Sequence, residues 1–422
     1  MRNRQSWQRI CTVSALMDGS TTTAGGSADR VLRARPDSPR ASDRAAGVIV
    51  HANLEGESEC PAENRALALR LYQHQFPVQV APLRGQQLQP YSPSLQMLRR
   101  HLKYLLHDRL DLAESVLYQS GSPTSWNLDF YGRCRVGRAA FGTDRIPDGW
   151  AERCNSLDEI WLPSAFHAET FAASGVERSK IRVIPQAVDT EVFRPGRASL
   201  PLESVPAKSF RFLAIADGWL VSGIDTLVRG FIEAFSPDED AALIIHCPPK
   251  RHGDSFIDFE AELIAFIEAN LGKNLEDIPN IALLVGSLSE EDRAGLFVAC
   301  HAFVQLARGE STGRHCLEAL ACQLPIIATD WGPLNDLLTV QNSFTVTTDG
   351  LVPAQPEEDE LFAGHRWAEP NVDHLRHQMR EVFENSQEAA LRAERGRRDV
   401  IGRFEWNAVL PEWIRNFLRL LD

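Results

Sequence analysis

Glu310 and Glu318 stand in the run 307–330, ARGESTGRHCLEALACQLPIIATD. Glu310 lies in a loop of small residues. Glu318 lies about a turn into a segment whose Cys316, Leu317, Leu320 and Ala321 recur at helical spacing. Carboxylates accept hydrogen bonds from sugar hydroxyls. Glu318 is placed to take two hydroxyls of a ribose, and Glu310 to reach a sugar beyond its phosphates. Amides around Gly313 to His315 would open the helix, and a helix N-terminus favours an anion such as a diphosphate. Arg314, at that start, either points its cation at such phosphates or faces solvent. The bland alternative is a surface glutamate followed by a helix-capping one. Spacing alone does not separate the two readings; the flanking text, with Gly313, E-A-L-A-C and L-P-I-I-A-T-D, favours the first.

These side chains need a frame. The apolar run 303–306 is strand-like, a helix follows the loop, and 325–329 resumes as a buried strand. Strand, loop, helix and strand make a βαβ unit, whose loop lies at the carboxyl end of a parallel strand, where ligands bind. The rest alternates in the same way. Strands are predicted at 47–51, 76–81, 114–119, 134–141, 158–163 and 180–185, with helices at 62–74, 147–154 and 165–173. A loop-rich span at 190–208, with Pro195, Pro201 and Pro206, reads as a linker. A second series follows. It has strands at 210–216, 241–246, 281–286 and 303–306, helices at 224–234, 256–270 and 290–299, and helical tails at 371–386 and 406–421. Residues 1–45, rich in Ser, Thr, Gly, Pro and Arg, read as a disordered leader.

The text E-S-T-G-R-H-C-L-E-A-L-A-C-Q-L-P resembles the Glu-x7-Glu signature of family 4 (group 1) retaining glycosyltransferases. Three further blocks support the likeness: 137–164, the run GVERSKIRVIPQAVDTEVFRP at 175–195, and Trp367-Ala-Glu-Pro. The resemblance implies the GT-B fold: two Rossmann-like, doubly wound parallel-sheet domains facing across a cleft, with a C-terminal helix crossing back. The implied layout is an acceptor-side domain over 46–195, a nucleotide-sugar domain over 196–388, and helices over 389–422 packing on the N-terminal domain. It implies transfer of a sugar from a nucleotide-diphosphate sugar to an acceptor hydroxyl with retention of configuration, with no cofactor or metal required. The acceptor would be a glycan, a lipid-linked group or a small molecule. Catalysis would fall to Glu310, Arg314 and His51. The donor would be held by Glu318, Gly313, His315 and Cys316, by Leu288 and Ser289 near the base, and by Gly218 and Gly56, where a small residue lets the backbone approach the diphosphate.

The chain departs from that family in three places. Relatives carry an Arg and a Lys on the loop after the first C-terminal-domain strand, where they neutralise the leaving diphosphate. Here the loop is Asp217-Gly-Trp-Leu-Val-Ser-Gly223, with Ser222 about where the lysine would be. Fixed cations stabilise charge that develops in such a cleft, and losing one commonly costs about 10²–10³ in rate. Arg308, Arg314, His315 and Lys250-Arg251-His252 are replacement charges. Between the glutamates, Ser311-Thr312 and Arg314-His315 stand where relatives have an aromatic residue and Leu-Pro. The acceptor-side histidine of many relatives is missing from Gln119-Ser-Gly-Ser-Pro-Thr; His51 is either its substitute or a strand cap. Glu55, Glu57 and Glu59 would repel a diphosphate and are expected to face solvent. These departures motivate a second reading: a catalytically impaired relative that serves as a nucleotide-sugar-binding or regulatory partner.

The totals bound the rest. A chain of 422 residues with 44% hydrophobic and 24% charged residues suits two soluble domains. A net charge of -13 argues against bulk attraction to nucleic acid. No apolar run approaches membrane-spanning length. The 8 cysteines show no metal-ligand spacing and read as reduced thiols in a cytoplasmic protein. The stretch 98–110, LRRHLKYLLHDRL, is either an ordinary amphipathic surface helix or a patch for peripheral membrane contact.

Overall fold

The computed structural model describes residues 10–14, 45–54, 59–81, 105, 110–129, 132–202, 210–248, 251–252, 255–256, 258–356 and 359–422. The expected membrane patch at 98–110, the diphosphate approach at Gly56, the acids Glu55 and Glu57, and Lys250 lie outside the described residues, apart from Leu105 and Leu110 of the patch.

The first strand among the described residues is Ile10–Ser14 (β1). The N-terminal domain then runs through Val48–Ala52 (β2), Glu59–Gln73 (α1), Val78–Val80 (β3), Val116–Ser120 (β4) and Cys134–Arg138 (β5). Trp150–Asn155 (α2), Glu159–Leu162 (β6), Ala165–Ala173 (α3) and Ile181–Val183 (β7) complete it. Strand order is β3-β2-β4-β5-β6-β7, with every neighbouring pair parallel. All five β4 residues are buried, as a strand covered by helices on both faces requires.

The C-terminal domain begins with Phe210–Ile215 (β8), Ile224–Ala234 (α4), Ala241–Cys247 (β9), Phe259–Ala265 (α5) and Asn280–Val285 (β10). Glu290–Ala299 (α6), Ala302–Gln305 (β11), Arg314–Ala321 (α7), Ile326–Thr329 (β12) and Phe344–Val346 (β13) follow. The sheet is again parallel, in the order β1-β10-β9-β8-β11-β12-β13. From β8 the chain winds outward on one side through β9 and β10, and on the other through β11 and β12. The switch point between β8 and β11 is where such a sheet leaves a crevice beyond its strand ends. Ile224, Leu227, Val228 and Phe231 put one buried stripe of α4 against this sheet.

Four features differ from expectation. Five residues of the expected leader form β1, which pairs with β10 from Ile10↔Ile281 to Ser14↔Val285. Ile, Thr and Val suit the pleated edge that β10 offers. The predicted helix at 256–270 starts later, because the Asp258 side chain caps it by accepting from the Ala261 amide at 3.1 Å. An antiparallel hairpin, Thr348–Pro353 (β14) with Arg366–Pro370 (β15), was not predicted. After Val372–Glu384 (α8) comes Ser386–Arg403 (α9), a helix that the resemblance implied from 389 onward but that periodicity did not predict. Its buried stripe is Ala389, Ala393, Gly396 and Val400, and small residues give little hydrophobic signal.

That helix also corrects the layout of the last segment. α9 stays on the C-terminal domain, where a Cβ on Gly396 would meet Leu320 at 2.4 Å. Only Trp406–Leu421 (α10) packs on the N-terminal core, through Trp406, Val409, Leu410, Trp413 and Phe417. Its rings meet Trp161, with centroids 4.8 Å away for Phe417 and 5.5 Å for Trp413. The crossing is fastened where the Val188 amide donates to the Phe404 carbonyl at 2.8 Å.

Candidate active site

The switch-point crevice encloses about 620 Å³ and is lined by Asp217 and Ser222 after β8, His246 at the end of β9, Leu288 before α6, and the loop that follows β11. Buried β11 residues carry that loop to the rim, and Gln305 at the strand's end donates to the Glu310 carboxylate. The other Glu310 oxygen accepts the amides of Thr312 at 3.0 Å and Gly313 at 2.9 Å. Glu310 is buried and lines the crevice, with both carboxylate oxygens held by donors of its own domain. Gly313 holds a left-handed φ of 77°, and a Cβ there would meet Leu334 at 2.8 Å. Only glycine fits this turn.

Of the amides expected to seat a diphosphate, Gly313 to His315, that of Gly313, the residue that precedes α7, is taken by the Glu310 carboxylate, together with the Thr312 amide just outside that set.

The expected place of Glu318 is corrected. It is 0% exposed and lies beneath the crevice floor, not on its wall. Arg293 of α6 grips it with Nε and Nη2, each at 2.8 Å. Arg314 Nε donates to it at 2.7 Å, and His315 Nδ1 lies 3.2 Å away. Burial raises the Glu318 carboxyl pKa, but the charges of Arg293 and Arg314 overcome this and hold it well below the ordinary range. Burial pulls His315 down, yet its bond and attraction to Glu318 outweigh that and hold the imidazole above its usual value. The carboxylate thus fixes a cluster of three basic groups, all of which do line the crevice. Arg314 also pairs with Glu290 at 2.7 Å.

The other expected contacts divide. Leu288 lines the crevice; Ser289 instead caps α6, accepting from the Asp292 amide at 3.1 Å. Cys316 is fully buried in the domain core. The Gly218 amide donates to Ser222 Oγ at 3.3 Å, as does the Asp217 amide at 3.0 Å, so the serine standing for a lysine holds its loop shut on itself. His51 is away from the crevice, and its Nδ1 donates to the Ala81 carbonyl at 2.8 Å, which is the strand-fastening alternative. Arg308 is consumed structurally: it binds Asp225 at 2.7 and 2.9 Å and Glu369 at 2.7 Å through two nitrogens. It pins the glutamate loop to α4 and β15.

Arg293 and His246 are among the crevice residues that escaped sequence reasoning. Arg293 sits on the buried face of α6 with Leu296 and Phe297, and a base on an apolar stripe was the available signal. His246 is the penultimate residue of an otherwise apolar strand, with Nε2 2.9 Å from the Gly286 carbonyl; burial pushes its pKa down to about 4. Among the described residues, no group of three His, Cys, Asp or Glu side chains could hold a metal, and no helix is long and apolar enough to cross a membrane.

Residues 276–398 match the family model described as Glycosyl transferases group 1. No curated protein matches the chain in sequence. Similar solved structures include HepE from Anabaena in complex with UDP and glucose, at 15% identity and TM-score 0.59 over 88% of this chain and 99% of that one. A sucrose-phosphate synthase from Thermosynechococcus elongatus is similar at 14% identity and TM-score 0.63, over 89% and 99%. A glycosyltransferase from Rickettsia africae aligns at 15% identity and TM-score 0.61, over 89% and 99%. The two facing parallel-sheet domains have the GT-B fold.

Proposed function

We propose that this chain transfers a sugar from a nucleotide-diphosphate sugar to an acceptor hydroxyl, with retention of anomeric configuration, as a family 4 glycosyltransferase. The observation that carries the reading is one crevice presenting the Glu310 carboxylate beside Arg293, Arg314 and His315. The group 1 match over 276–398 and the UDP bound by HepE support a nucleotide-sugar donor.

In this reading the diphosphate lies against the three basic groups, which take the part of the missing Arg and Lys. They offset the charge that develops as the bond from the sugar's anomeric carbon to phosphate oxygen breaks. Glu310 receives hydroxyls of the transferred sugar. The acceptor oxygen bonds to the anomeric carbon on the face the phosphate leaves, and its proton passes to a leaving phosphate oxygen. No protein nucleophile is needed, and none of the steps calls for a metal. The N-terminal domain admits the acceptor and helps exclude water that would hydrolyse the donor. A cytoplasmic location, with peripheral membrane contact for a lipid-linked acceptor, belongs to the same reading.

The test is transfer and hydrolysis over a panel of nucleotide sugars, with thermal shift by UDP, GDP and ADP. Turnover of one donor, lost in Glu310→Ala, is expected. Binding without turnover would identify the binding or regulatory protein instead, and neither binding nor turnover would end both readings.

A further inference from the structure

We infer that the N-terminal domain holds the glutamate loop in shape through Gln186, which makes Gln186 a positioning residue for Glu310; its part in turnover rests on the function proposed above. The loop is gripped on two sides. Glu310 draws the Thr312 and Gly313 amides inward at 3.0 and 2.9 Å. On the other side the Gln186 side-chain amide, reaching across from the segment after β7, donates to the Thr312 carbonyl at 2.7 Å. Gln186 is only 8% exposed, so water competes poorly for that carbonyl.

Two neighbours show that the contact is built into the interface. The backbone at Gly142 lies so close to the loop that a Cβ would stand 2.4 Å from the carbonyl oxygens of both Gly309 and Glu310. His167 of α3, 0% exposed, is anchored by Ser164 Oγ at 2.6 Å and lies beside the Ser311 main chain. The N-terminal domain therefore meets the carbonyl side of consecutive loop residues while the carboxylate of Glu310 takes the amide side. Peptide planes gripped from both sides cannot rotate, and a carboxylate whose two amide donors are fixed keeps one rotamer. Preorganisation of this kind lowers a barrier without adding a contact to the ligand.

The test is residue-resolved hydrogen exchange on the full chain, which needs no substrate. In Gln186→Met the Thr312 and Gly313 amides should lose protection by about 10-fold, the worth of one buried hydrogen bond, while amides in β9 and β11 keep theirs. Gln186→Glu serves as the second variant: its ionised carboxylate cannot donate to Thr312, and protection should return as pH falls and the introduced carboxyl protonates. Unchanged protection at Thr312 and Gly313 in either folded variant overturns the inference. With a donor identified, kcat should fall by a similar factor while the donor KM stays within about twofold, and a fall in binding alone overturns the positioning role. Altered exchange in a chain that turns over no donor would sustain the clamp and remove the proposed activity.

Discussion

Arg293 clasps Glu318 through two hydrogen bonds of 2.8 Å, and the carboxylate between them is sealed from solvent. A carboxylate in that position is not a ligand for incoming hydroxyls. It is the anchor that holds two guanidinium groups and an imidazole at the crevice wall, 25 residues of chain separating the first pair. The basic groups that line the crevice thus come from α6 and α7, not from the loop after β8.

Removing Arg293 leaves Glu318 buried with Arg314 and His315 alone. Breaking a buried ion pair costs about 3–5 kcal/mol. Arg293→Met should lie near the low end, since two partners remain, and should weaken any nucleoside diphosphate's thermal shift. Denaturant unfolding measures the first; a loss under about 1 kcal/mol would mean that Arg293 does not carry the charge balance of the site.

Substitution separates the part Glu310 plays in its loop from the part in transfer proposed for it. Glu310→Gln keeps an oxygen for the Thr312 and Gly313 amides and should cost under about 1 kcal/mol of stability. On the proposed function transfer should nonetheless fall by about 10²–10³, because the charge assigned to the sugar would be gone. Glu310→Ala should lose both. Equal turnover in wild type and Glu310→Gln would remove the carboxylate from the chemistry.

At Gly142 the backbone of the N-terminal domain comes against the glutamate loop with no space for a side chain. Gly142→Ala must push the 139–143 loop off two backbone carbonyls that have no room to yield, at a cost of about 1–3 kcal/mol. Its radius of gyration by solution scattering should rise as the interface loosens. Gly402→Ala is the opposite case: it lies in α9, a Cβ there meets nothing within 4 Å, and stability should rise by up to about 1 kcal/mol. An interface unchanged by Gly142→Ala would show that the two loops do not need their close approach.

Histidines shape the pH profile with opposite signs. Burial pushes His167 down to about 3 and His246 down to about 4. The unfolded chain binds protons on these side chains near pH 6.5, so stability is complete above that and falls as pH drops toward the folded values. His315 is raised, so its contribution is complete below its unfolded value and is lost as pH climbs through the folded one. His167→Phe should flatten the acid limb of a stability–pH curve, and His315→Gln the limb above neutrality. An acid limb as steep in His167→Phe as in the wild type would mean that His167 is not held neutral.

Sequence by itself determined the alternation that builds two parallel sheets, because burial on one or two faces writes a period into neighbouring residues. α3, α4, α6 and α10 are predicted to the residue, and the glutamate loop falls at the end of β11 as the strand-loop-helix text requires. Periodicity reports that a side chain is buried, never what it meets. Only the tertiary structure could place Arg293 on Glu318, spend Arg308 on Asp225 and Glu369, tie His51 to Ala81, and set Gly142 against the Glu310 carbonyl. Each of those pairings joins separate elements, and the charge left facing the crevice is what remains after all of them are made.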